Sequence, residues 1–166
     1  MAIDRKVWLA PVFALAAASA SAQTAKPGMV IDFVHMGGND CPPCVAWRRT
    51  ELPKLQAAPE FQAIRFTHVT KTVKSAVPPA LFFPQEIKHL QPALAEASNG
   101  ISGSPQQAIL VNGKVVDYWF GAGRGSAEQM AAMVRAIQSG QPLPRPTCQL
   151  LKTSSKCQTP GPTKVS

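Results

Sequence analysis

Hydrophobic and polar positions along this chain switch between two spacings, and the switches mark its elements. "MVIDFVHM" is a β-rich apolar run broken only by an acid and a histidine, and it predicts a buried strand from Met29 to about Met36. "FQAIRFTHVT", residues 61–70, sets Ile64, Phe66 and His68 against Arg65, Thr67 and Val69, the two-residue alternation of a second strand. Between them Val45, Leu52 and Leu55 fit one face of a helix that starts at Cys41. Pro42 and Pro43 suit its first turn, where backbone amides lack intrahelical partners anyway. Gly37–Asp40 reads as the loop before it, and Pro53 as its kink or its end.

Further along, "VPPALFFP" is irregular, and then Ile87, Leu90 and Leu94 recur at helical spacing from Gln85 to Ser98, interrupted by Pro92 and stopped by Asn99-Gly100. "QQAILVNGKVVDYWF" holds two β-rich runs joined by Asn112-Gly113, a pair suited to the two-residue type I′ hairpin turn. Ser126 and Gln129 form a capping-box pattern ahead of Met130, Met133, Val134 and Ile137, with Gly140 as the stop. The order is strand, helix, strand, helix, hairpin, helix. A strand–helix–strand start implies a parallel pair with a crossover helix, and the hairpin adds antiparallel strands. The expectation is an α/β domain over residues 23–140 with a mixed central sheet and no internal repeats.

The two ends read differently. "MAIDRKVWLAPVFALAAASASAQ" has Arg5 and Lys6, an apolar run from Val7 to Ala18, and small residues up to Ala22. That is the pattern of a cleaved secretory signal over residues 1–22; the run falls short of the roughly 20 residues that span a bilayer. An exported, periplasmic protein with no membrane span in its mature chain is expected. Residues 141–166, rich in Pro, Ser, Thr and Lys, read as a disordered or loosely packed tail. The formal net charge of +8 falls to about +7 without the signal, and the basic residues are scattered, with no run longer than Arg48–Arg49. A solvated surface fits this better than a nucleic-acid site, and nothing suggests more than a monomer.

The chemistry lies in the four cysteines, all beyond the signal and in two local pairs, 41/44 and 148/157. An oxidising compartment favours disulfide chemistry over zinc. A C-x-x-C can still be a redox couple, half of a zinc site or a structural disulfide. Cys148 and Cys157 enclose eight residues of the tail and read as a structural disulfide, with electron relay to Cys41/Cys44 as an alternative. His35, Met36, Cys41 and Cys44 together raise copper handling as another. His68 and His89 read as ordinary strand and helix residues, and Trp47 as structural. No phosphate-binding glycine loop, Ser-His-Asp order or paired carboxylates are present, and no cofactor is expected.

C-P-P-C at 41–44 after the first strand, followed about 60 residues later by "GISGSPQQAILVNGKVV" and then by "FGAGRGSAEQMAAMV", resembles the thioredoxin-like superfamily, and in particular the Dsb-type thiol:disulfide oxidoreductases. The resemblance implies the thioredoxin fold and a cis Pro105, preceded by Ser104, that faces the cysteines and offers backbone to a substrate. It implies exchange with protein thiols and disulfides and with a redox partner protein. Asp40 stands where such proteins usually carry an aromatic residue, and Asp32 resembles their buried acid but lies nine residues before Cys41 rather than six.

Physical chemistry then gives each cysteine a task. Cys41, at the positive end of a helix, suits a nucleophilic thiolate, and Cys44, one turn in, suits the resolving thiol. Pro43 removes one N–H that could face the Cys41 sulfur, and Asp40 adds a negative charge beside it. Both disfavour the thiolate, so a mild oxidant or a reductant is expected.

Overall fold

The computed structural model describes residues 28–144; the export signal expected at 1–22, the tail from residue 145 and the Cys148–Cys157 disulfide expected in it lie outside the described residues. Strand β1 (Ile31–Met36) is followed by helix α1 (Pro42–Ala57), strand β2 (Ile64–Val69), helix α2 (Gln91–Ser98), strands β3 (Gln106–Val111) and β4 (Lys114–Phe120), and helix α3 (Ala127–Ser139). The sheet runs β2-β1-β3-β4: β1 is parallel to β2 and antiparallel to β3, and β3 and β4 form the hairpin. Each strand and helix foreseen in the sequence is present, in the foreseen order, as a mixed α/β architecture.

Burial explains why β1 reads as one apolar run: as an inner strand it is covered on both faces, and all six of its residues are buried. Alternation divides them. Ile31 and Phe33 join Trp47, Leu55, Ile109, Trp119, Met130, Val134 and Ile137 in a core between the sheet and the helices α1 and α3. Val34 and Met36 join Ile87, Leu90, Leu94, Leu110, Val115 and Tyr118 in a second core beneath α2. The hairpin turn takes positive φ at Asn112 (49°) and Gly113 (78°), as a type I′ turn requires. α3 starts at Ser126, whose side chain accepts from Gln129 N–H at 3.3 Å, and ends at Gly140 in the left-handed conformation. Leu143, beyond that stop, still packs into the first core.

Three local expectations need correction, each for a backbone reason. Pro53 does not end α1, which runs on to Ala57. Pro53 and Arg49 both face solvent, so the Arg49 carbonyl left without a helical donor can bond to water. The helix expected over Gln85–Ser98 begins as a 3₁₀ segment, Gln85–Leu90, and becomes α-helical only at Gln91. Pro92 has no N–H to give to the preceding turn, so it sits in the first turn of α2, where none is needed. Residues 61–63, expected within the second strand, belong to a 3₁₀ turn, Pro59–Ala63, because Pro59 opens it and the strand pairs with β1 only from Ile64. No helix among the described residues is long and apolar enough to cross a membrane.

Candidate functional site

The loop from Gly37 to Asp40 leaves the sheet at the C-terminal end of β1 and delivers Cys41 to the start of α1. Cys41 caps this helix: its sulfur accepts the Cys44 N–H at 3.2 Å and its carbonyl accepts from Val45 N–H at 3.0 Å. Pro42 and Pro43 need no acceptors there and stand exposed, so the Cys44 amide is the donor that the Pro-Pro pair leaves for the sulfur. Cys41 and Cys44 are closed as a disulfide with Cα atoms 5.3 Å apart. Both are buried, Cys41 at 1% exposure and Cys44 at 0%. A nucleophile needs access to its target, so the Cys41 sulfur, expected to attack first, is covered in the closed form almost as fully as that of Cys44.

Sheet register places the second motif beside the first. Met36 ends β1 opposite Gln106, which starts β3, so Pro105 adjoins the point where the cysteine loop departs. The Ser104–Pro105 bond is cis. Two buried side chains that the sequence reading did not single out hold the segment before it. Lys71, just past β2, donates from Nζ to the Gly103 carbonyl at 2.6 Å and to Ser104 Oγ at 3.0 Å. Gln106 donates from Nε2 to the carbonyls of Ile101 and Gly103, both at 3.0 Å, and its Oε1 accepts from Tyr118 O–H at 2.5 Å. Burial lowers the Lys71 ammonium to about 8, with the Asp40 carboxylate pulling the other way. Asp40, the unusual neighbour of Cys41, therefore lies within the field of a buried cation.

On the sheet face under α1, His35 is fully buried and stacks on Trp47 with ring centres 4.6 Å apart. Trp47 is structural as expected: it is buried, and its indole N–H donates to the Gly125 carbonyl at 2.5 Å, tying α1 to the turn ahead of α3. His68, expected to be an ordinary strand residue, lies beside His35 with the two Nδ1 atoms 3.0 Å apart. Arg48 is half-buried. Its Nη2 donates to Asn39 Oδ1 at 2.6 Å and its Nη1 lies 3.5 Å from His68 Nε2, while Arg49 is exposed. Gly37 is required by this crowding. A Cβ on it would stand 2.8 Å from Cys44 Sγ and 3.1 Å from His35 Cε1.

Two other arrangements raised by the sequence are not brought together. Met36 points into the core beneath α2 while His35 points the opposite way, so His35, Met36, Cys41 and Cys44 do not form one copper-binding group. Among the described residues no three His, Cys, Asp or Glu side chains converge as metal ligands. Asp32 is buried, pairs with Arg65 on β2, and alternates onto the same face as Met36, away from α1. His89 lies in the 3₁₀ segment ahead of α2. Comparison of the chain with protein-family models, with curated proteins and with solved structures finds no match in any of the three.

Proposed function

We propose that this chain is an exported, periplasmic thiol:disulfide oxidoreductase of thioredoxin-like architecture that exchanges disulfides with other proteins through Cys41 and Cys44. The observation that carries the reading is the setting of the pair. A disulfide closes across the first turn of α1, with a backbone N–H on the Cys41 sulfur and the Ser104–Pro105 segment beside it. An amide donor and a helix N-terminus are what a cysteine thiolate needs to form near neutral pH. The mixed sheet with helices on both faces, and the cis bond before Pro105, agree with what the resemblance implies.

The reaction follows from the order of the two sulfurs. In the dithiol form the Cys41 thiolate attacks a substrate disulfide, forming a Cys41–substrate disulfide and releasing one substrate sulfur as a thiolate. Cys44, deprotonated, attacks Cys41 Sγ; the Cys41–Cys44 bond forms and the second substrate sulfur leaves with the electron pair. The protein loses two electrons and two protons, and the substrate disulfide gains them. A redox partner protein reverses the change. Asp40 and Pro43 both disfavour the Cys41 thiolate, which supports a mild oxidant or a reductant, and a Cys41 pKa near 4 by thiolate absorbance would contradict that.

A second reading has one specific observation behind it. The 1% exposure of Cys41 suits a permanently closed structural disulfide in a binding module. Reduction of insulin separates the two readings: wild-type protein accelerates it and Cys41→Ser does not. Equal rates for the two proteins would refute the enzyme reading.

A further inference from the structure

Directly under the cysteine pair, the sheet carries a row of polar side chains where a core row would be apolar. On β1, His35 is paired with His68 of β2 and with Gln107 of β3, and Gln107 is paired with Trp119 of β4. Directly opposed partners share a face, so all four point toward the layer that holds α1. One level further from the cysteines, the three adjacent strands carry Phe66, Phe33 and Ile109 instead. In the polar row His35 Nε2, both amide atoms of Gln107 and Trp119 Nε1 are buried with no hydrogen-bond partner among the described residues. Each such atom costs roughly 1–3 kcal/mol when left unpaired, so packing alone does not account for the row.

The hydrogen-bond network assigns the tautomers. A guanidinium only donates, so Arg48 Nη1 makes His68 Nε2 an acceptor. Neutral His68 then carries its hydrogen on Nδ1 and donates it to His35 Nδ1. The hydrogen of His35 is left on Nε2. The groups facing His35 are His68 from β2, Arg48, Cys44 and Trp47 from α1, and Gln107 from β3. Burial first, then His68 and Arg48, lower His35 to about 3, so its ring is neutral at any physiological pH. It is a neutral donor with no acceptor among the described residues. On the other side of the missing Gly37 side chain lies the sulfur of Cys44.

We propose that the Nε2–H of His35 is the hydrogen-bond donor to the Cys44 thiolate in the dithiol form, and that His68, held by Arg48, is a positioning residue that keeps the hydrogen on that nitrogen. The proposal rests on the reading of Cys41 and Cys44 as an exchange pair. Reduction breaks the Cys41–Cys44 bond and frees Cys44 Sγ to settle against the ring in the space that Gly37 leaves open. In the resolving step Cys44 gives its proton to solvent, and its negative charge is held by His35 Nε2–H rather than left bare in the core. The thiolate then attacks Cys41 Sγ. His35 takes no proton and is unchanged at the end.

The test is a titration of Cys44 alone. In the full-length chain bearing Cys41→Ser, Cys148→Ser and Cys157→Ser, Cys44 is the sole cysteine, and thiolate absorbance reports its pKa. Adding His35→Leu is expected to raise that pKa by about one unit or more, the size of a lost hydrogen bond to a charged sulfur. His35→Gln, whose amide donates from the same place without titrating in this range, is expected to stay close to the parent. An unshifted Cys44 in His35→Leu, or a rise in His35→Gln as large as in His35→Leu, overturns the proposal. Should His35→Leu fail to fold, His68→Leu on the half-buried edge strand decides: a raised Cys44 pKa supports it and an unchanged one overturns it. The titration needs no substrate. A wild-type chain that fails to reduce insulin would defeat the exchange reading, and an unshifted thiol would defeat this inference alone.

Discussion

At the scale of single residues, the site is a set of close approaches that sequence spacing could not show. Cys41 and Cys44 were legible, because C-x-x-C with two prolines ahead of a helix is a local pattern. The contact of His35 with His68 was not. They lie 33 positions apart and meet only through the parallel register of β1 and β2. The same is true of Lys71, a lone lysine after a strand until the fold sets it on the Gly103 carbonyl. A buried histidine also has a measurable signature. His35 titrates well below its unfolded value of 6.5, so between pH 6.5 and about 3 the unfolded chain holds the extra proton. Stability is therefore lost as pH falls through that window. At pH 4.5 this amounts to about 2–3 kcal/mol relative to pH 7. Denaturant unfolding of wild type and His35→Leu at the two pH values checks it: the acid loss shrinks by that amount in the variant, and equal losses would contradict the assignment.

At the scale of elements, the pattern of apolar positions carried most of what was foreseen. The hairpin was legible because Asn112-Gly113 satisfies the positive φ of its turn, and α3 because Ser126 and Gly140 mark its ends. Prolines caused the errors, since their effect depends on what faces the carbonyl they leave unbonded: solvent at Pro53, the start of a helix at Pro92. Lys71, a buried cation just past β2, holds the residues that lead into the cis bond, Gly103 and Ser104. Its folded value of about 8 lies below the ordinary 10.5, so from pH 8 to 10.5 the unfolded chain binds more protons and stability rises with pH. Lys71→Met is expected to lack that rise. In the insulin assay the same variant is expected to raise KM roughly fivefold with little change in kcat, because about 1 kcal/mol of ordering in the segment beside the cysteines is lost. A fall in kcat with KM unchanged would place Lys71 in the chemistry instead.

For the whole molecule, the class of fold was legible, whereas the covering of the cysteine pair was not. The strand and helix order fixes a mixed sheet covered on both faces, and the two cores follow from alternation along β1. Reactivity depends on how far two sulfurs are covered, and that emerges only when α1, the sheet and the 101–105 segment are assembled. In the closed form Cys41 is covered, so exchange requires the dithiol state to open a path to its sulfur. The most direct measurement is to trap that event. In reduced Cys44→Ser protein the resolving thiol is gone, so incubation with a disulfide-bonded peptide should leave a stable mixed disulfide on Cys41. Mass mapping under non-reducing conditions would find the adduct on Cys41, and addition of dithiothreitol would remove it. A folded, reduced Cys44→Ser protein that carries no adduct on Cys41 would contradict the account and leave Cys41–Cys44 a structural disulfide.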